Sequence, residues 1–306
     1  MASSIERTLH DSALKQSITP VSYFYERRYD APASVGTGRT RLEPNSFPDK
    51  RAFRIGTMTL IATAEHTTRA FDADLQSLNR MISKMGGHAE RQLALAVNAL
   101  KKRDLESASN VVVSDLALDV QQQEIGQRVV ETIATRQPMA VDLREIISVL
   151  QISNELERIG DLAKNIGKRV VALKTDNIPR QPLRGITHLG GLATKLLKDV
   201  LDSYVERDST KAVKVWNSDG EIDLLYGSLH QELLTCITED PGTVVAGVHL
   251  LFCAKNIERV GDHATNIAEL VYYIVEGQTL TRERPKVDSV DLAAFRTGIP
   301  SIASHD

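Results

Sequence analysis

Ten side chains in two sets carry the chemistry that this sequence advertises. Asp115 and Asp119 stand four residues apart, and Glu157, Asp161 and Asn165 keep the same step. Asp219 and Asp223, then Glu258, Asp262 and Asn266, repeat that spacing later in the chain. On a helix, residues four apart are neighbours on one face. Like charges placed so repel, which is mildly destabilising unless something compensates them. Converging carboxylates without histidine suit hard, oxygen-preferring cations such as Mg²⁺, Mn²⁺ or Fe. For any single pair the plain alternative is a solvated helix face.

The duplication weighs against that alternative. Glu157-Arg158-Ile159-Gly160-Asp161-Leu162-Ala163-Lys164-Asn165-Ile166 faces Glu258-Arg259-Val260-Gly261-Asp262-His263-Ala264-Thr265-Asn266-Ile267, with seven of ten positions identical. Asp104-Leu-Glu-Ser-Ala108 aligns with Asp208-Ser-Thr-Lys-Ala212, Ser114-Asp115 with Ser218-Asp219, and Gln137-Pro138 with Asp240-Pro241. A solvated face can be polar in many ways, yet Glu, Arg, Gly, Asp and Asn recur at the same five offsets. Consistency of this kind favours two cation sites, one in each half.

These residues must be positioned by long helices. Val149, Ile152, Leu156, Ile159, Ala163 and Ile166 form an apolar stripe at helical spacing, roughly opposite the line Glu157, Asp161, Asn165. The acidic line therefore points away from its own core. Helical spacing runs from Thr59 to Lys102, interrupted only at Gly86-Gly87. It continues from Asp104 to Gln137, and from Pro138 to about Leu173 with Gln137 as N-cap. A Pro-containing linker follows. Helices then run from near Leu183 to Arg207, from Asp208 to Glu239, and from Pro241, capped by Asp240, to about Glu276. Alternating strand patterns are absent. The fold class expected is all-α: two tandem three-helix bundles made by internal duplication.

The expected domains are 1–57 as a disordered N-terminal extension, 58–174 as the first repeat, 175–182 as linker, 183–277 as the second repeat and 278–306 as a flexible tail. The first 57 residues hold four of the ten prolines and no sustained helical period. Met58 is expected to be a functional start, with residues 1–57 dispensable.

Other residues carry weaker signals. Arg158 and Arg259 suit steadying a neighbouring carboxylate, contacting an anion, or an ordinary surface ion pair. Gly160 and Gly261 cost helix stability, so they suggest close approach of another helix or an ion. His263 lies beside Asp262, where it could serve as an extra ligand, but its counterpart in the other half is Leu162, so it reads as a surface histidine. Cys236 and Cys253 read as core residues, and Asp142-Leu143-Arg144 as a helix-start charge pair.

Composition excludes several classes. With 37 Lys and Arg against 40 Asp and Glu, the formal charge is −3, so no global basic field invites nucleic acid. Two cysteines are too few for a disulfide scaffold. No apolar stretch approaches the ~18 residues of a membrane span, and no secretory h-region opens the chain. A cytoplasmic location without membrane insertion is the expectation.

The chain resembles the PhoU family of bacterial phosphate-uptake regulators. The resemblance rests on Phe71-Asp72-x-Asp74-Leu75, Met85-Gly86-Gly87-x-Ala89-Glu90-x-Gln92-Leu93 and Arg136-Gln137-Pro138-x-Ala140-x-Asp142-Leu143-Arg144. The two copies of the Glu-Arg-(Ile/Val)-Gly-Asp motif, with Glu239-Asp240-Pro241 and Leu251 to Ile267, complete it. It covers about Glu65 to Gly277. It implies tandem three-helix bundles and multinuclear metal clusters, iron foremost, with Mn, Mg and Zn as alternatives. The metal motif would fall on Asp115, Asp119, Glu157, Asp161, Asn165, Asp219, Asp223, Glu258, Asp262 and Asn266. The implied role is a homodimeric adaptor, not an enzyme. It would couple the ATPase subunit of the phosphate ABC transporter (PstB-like) to a sensor histidine kinase (PhoR-like), keeping the phosphate-starvation response off. The competing reading is a carboxylate-bridged di-iron enzyme. That chemistry takes Glu-x-x-His on inward-facing helices, and none of the eight histidines has a Glu three residues before it.

Overall fold

The structure, a computed structural model, describes residues 50–173 and 177–280, with side chains from residue 70 onward. Of the expected extension 1–57, residues 1–49 lie outside the described residues and residues 50–57 belong to helix; of the expected tail 278–306, residues 281–306 lie outside them. The described residues form seven α-helices and no strand: α1 (Lys50–Lys102), α2 (Leu105–Ser114), α3 (Leu116–Arg136), α4 (Val141–Ala172), α5 (Arg180–Glu206), α6 (Ser209–Glu239) and α7 (Val244–Glu276). A 3₁₀ turn, Pro241–Thr243, leads into α7. The first repeat is α1, the pair α2–α3, and α4; the second is α5, α6 and α7.

Matching caps open the second helix of each repeat. Asp104 accepts hydrogen bonds from Glu106 N–H at 3.1 Å and Ser107 N–H at 3.0 Å. Asp208 does the same for Thr210 N–H at 2.9 Å and Lys211 N–H at 3.0 Å. Each satisfies two of the donors that a helix start leaves unpaired. Asp240 caps Gly242 N–H at 2.8 Å, with Pro241 in the first turn, as its residue type predicts.

Several boundaries differ from the sequence reading. The unbroken helix expected from Asp104 to Gln137 is interrupted at Asp115, where Leu118 N–H bonds back to the Asp115 carbonyl at 2.8 Å, a three-residue step. Gln137 is not an N-cap; it closes α3 in the left-handed region (φ 49°), donating its N–H to Ile133. α4 therefore starts at Val141, after a reversal that also places Ala140 at φ 47°. α5 starts at Arg180, inside the expected linker, because Pro182 falls in the first turn, where a missing N–H costs nothing. α1 begins at Lys50, ahead of Thr59, and runs through Gly86-Gly87 without a break.

Gly86 has a packing reason. A Cβ there would meet the methyls of Leu201 on α5, and Gly190 on α5 likewise admits Val97 of α1. α1 and α5 thus lie close together, running in opposite directions. α4 and α7 form the other antiparallel seam: Arg144 reaches Ile274, Glu155 reaches His263, and Arg169 lies over the Phe252 ring at 4.2 Å. One apolar core runs through both repeats, and Val149, Ile152, Leu156, Ile159, Ala163 and Ile166 are all fully buried in it. Burying such side chains from both repeats together is what makes the two bundles one body.

Candidate functional site

Each repeat sets its carboxylates on the same pair of elements, the second helix and the last. In the first repeat, Gly160 lets them meet. A Cβ at Gly160 would strike the Leu118 methyl and stand 3.3 Å from Asp115 Oδ1. In the second, a Cβ at Gly261 would stand 2.9 Å from Asp219 Oδ1 and 3.3 Å from Ile222 Cδ1. The duplicated glycine is therefore a contact point at which an aspartate-bearing helix presses on the motif helix.

Asp119, Glu157 and Asp161 line one groove of about 680 Å³ between α3 and α4, with Gln122, Gln123, Asn154 and Arg158. Gln122 donates to Asn154 at 2.8 Å and ties the two helices together there. Asp115 lies beneath, 2% exposed, and accepts from Gln92 of α1 at 3.2 Å. Asn165 sits one turn beyond Asp161, partly exposed. Burial, then the charge of Asp161, with smaller contributions from Asp119 and Asp115, pushes Glu157 above the ordinary 4.5; Arg158 opposes the shift. Arg158 stands 3.5 Å from Glu157 and 3.9 Å from Asp161.

The second repeat copies the electrostatics. Burial pushes Glu258 up; Lys255, 2.7 Å away, opposes it, and the charges of Asp262 and Asp223 reinforce it. Asp219 is buried and Asp223 partly exposed. Asn266, the last member of the expected set, turns to α4 and donates to Glu155 Oε2 at 3.0 Å.

The chain belongs to the PhoU family. The family model, "PhoU domain", matches twice, over residues 82–170 and 186–271. A Rhizobium meliloti protein named phosphate-specific transport system accessory protein PhoU homolog is 51% identical over 223 residues, 73% of this chain and 94% of that one. A Caulobacter vibrioides protein of the same name is 47% identical, covering 73% of this chain and 97% of its own length. Among solved structures, PhoU from Pseudomonas aeruginosa matches with TM-score 0.66 and 34% identity, over 68% of this chain and all of that one. The phosphate transport system regulatory protein PhoU from Streptococcus pneumoniae matches with TM-score 0.65 and 26% identity, over 69% and all of it.

A PhoU-type metal would find only oxygen donors in these sets, which fits a hard cation. One observation of charge supports the fit. The Lys164 ammonium already sits between Asp115 and Asp161, at 2.5 and 3.1 Å. Its hydrogen bond to Asp115 is the main reason that its pKa rises above the ordinary lysine value. Among the described residues, however, no three His, Cys, Asp or Glu side chains close on a single point. The carboxylates feel one another without forming a finished coordination sphere.

Sequence reasoning missed several roles within this PhoU fold. His263 is no surface histidine; its Nδ1 lies 2.8 Å from Glu155 across the α4–α7 seam. Burial would raise Glu155, but the hydrogen bonds from His263 and Asn266 win, and its pKa falls below 4.5. Arg144 does more than start a helix: its Nη2 donates to the Ile274 carbonyl at 3.4 Å, and its guanidinium lies 5.6 Å from the Tyr273 ring centroid. Cys253 is fully buried, its thiol pushed up to about 12 by desolvation, whereas Cys236 is only half-buried. Lys164 could have been noticed as a cation three residues after Asp161 on the acidic face.

Proposed function

We propose that this chain is an accessory regulator of phosphate transport whose two carboxylate sets bind a hard metal cation, iron foremost. In this reading it couples the ATPase subunit of a phosphate ABC transporter to a sensor histidine kinase and holds the phosphate-starvation response off when phosphate is plentiful. The observation that carries the reading is the twofold PhoU domain together with relatives, matched over nine-tenths or more of their length, that are named as phosphate-transport accessory proteins. No helix among the described residues is long and apolar enough to cross a membrane, so a transporter would be met at its surface.

Metal would act here through charge. Glu157 and Glu258 are held above their ordinary pKa by burial and by carboxylate neighbours, so a cation that offsets those neighbours stabilises the folded state. A second-helix carboxylate and a last-helix carboxylate bound to one cation would fix the spacing of the two helices.

A homodimer is part of the proposal, and light scattering of the purified chain tests it. The functional core is tested by deletion: starvation genes should switch on in high phosphate and switch off again when the gene is restored. Normal repression in the deletion strain overturns the regulatory reading. Elemental analysis of wild type beside a Glu157, Asp161, Glu258 and Asp262 to Ala variant tests the metal separately; equal metal content in the two overturns that part.

A further inference from the structure

Lys164 and Thr265 hold the same place in the two repeats, and only Lys164 is charged. Lys164 lies on α4, one turn after Asp161. Its Nζ is 2.5 Å from Asp115 Oδ2 and 3.1 Å from Asp161 Oδ1. One ammonium thus joins carboxylates of two elements, the α2–α3 junction and α4. Asp115 is buried and the Lys164 side chain is 27% exposed, so water screens the contact poorly. Thr265 is buried and donates its hydroxyl to the Asp262 carbonyl at 2.8 Å. Lys255 does not replace Lys164 in the second repeat. It pairs with Glu258 within one helix, its side chain is 48% exposed, and its own counterpart is Asn154.

We propose that Lys164 is a tethered counter-ion that occupies the first carboxylate set and lowers the affinity of that set for metal. The proposal rests on the metal-binding reading of the carboxylates. A divalent cation entering between Asp115 and Asp161 must displace the ammonium or accept its repulsion. The flexible four-carbon stem of lysine permits displacement, at the loss of its charge-assisted hydrogen bonds. Lys164 therefore determines how much metal the first repeat holds at a given concentration, a control that a threonine at the same place does not exert.

The test is calorimetric titration of the full chain with Mn²⁺ alone. The parent carries Glu258→Gln and Asp262→Asn, which leaves the first set intact. Adding Lys164→Met should tighten Mn²⁺ binding by about tenfold or more, the scale of one charge-assisted hydrogen bond no longer given up. Lys164→Gln, which keeps a polar contact without the charge, should act in the same direction and serves if the methionine variant does not fold. Lys164→Arg should leave affinity low. Unchanged or weaker Mn²⁺ binding in the Met and Gln variants, with binding present in the parent, overturns the role of Lys164 and leaves the metal reading standing. If neither the parent nor any Lys164 variant binds Mn²⁺, the metal reading of the first set falls and the counter-ion role falls with it.

Discussion

Glu155 on α4 and His263 on α7 meet at 2.8 Å across the seam between the repeats, and Asn266 donates to the same Glu155 oxygen. The contact joins one repeat to the other at the level of the acidic motifs, and 108 residues of chain separate its partners. Glu155→Ala would leave two half-buried donors unsatisfied, so a loss of about 1–3 kcal/mol is expected. A double-mutant cycle with His263→Ala should return a coupling between the two sites; simple additivity would show that the contact contributes nothing.

That contact also has a definite acid signature. The Glu155 pKa is lowered in the folded state, so its stabilisation is present above the unfolded value of about 4.5 and is lost as pH falls through the depressed folded value. Wild type should lose stability there more steeply than Glu155→Gln. Urea midpoints taken at intervals between about pH 6 and pH 3 measure the difference.

Glu157 carries the opposite sign. Its folded pKa is raised, so the folded state binds a proton more readily than the unfolded chain. The penalty is absent below the ordinary 4.5 and grows as pH rises through that value to the raised one. In chelator, Glu157→Gln should match wild type in acid and exceed it at neutral pH. Thermal melts at the two pH values decide it; a variant less stable than wild type at neutral pH would mean that Glu157 makes a favourable contact instead.

Glycine substitutions should divide by position. Gly160→Ala pushes a methyl into the fully buried Leu118 and should destabilise by about 1–3 kcal/mol through overpacking, whereas Gly261→Ala meets the carboxylate end of Asp219 and should cost less. Gly220, also helical, has open space where a Cβ would stand, with nothing within 4 Å, so Gly220→Ala should stabilise by about 0.5–1 kcal/mol. Denaturant midpoints of the three variants check the ordering.

Arg144 ties the end of α7 to the start of α4. Arg144→Ala should free the last turn of α7, where Gly277 at φ 75° packs against the guanidinium. Hydrogen exchange should quicken at amides of the last turn of α7 and stay unchanged in the middle of that helix.

The helices, their core stripes and the duplication were legible in the residues alone. Period and repeat are properties of a one-dimensional string, and the buried faces of α4 and α7 follow from them. The likeness of the two acidic sets was visible for the same reason, and so was the hint that Gly160 and Gly261 admit a close neighbour. What the string did not contain is which side chains from distant segments would meet. His263 read as a surface residue because its partner Glu155 belongs to another helix, and the contact of Asn266 with that same glutamate depends on how α7 is rotated against α4. The pairing of Lys164 with Asp115 arises only where packing at Gly160 brings that buried aspartate beneath it. Helix ends were misjudged where a reversal had to be made: Gln137 adopts a left-handed cap because the chain must turn from α3 into α4, a demand set by the packing of both. Local periodicity fixes which face is buried; only the balance of contacts across the assembled bundles selects the partner each polar group finds there.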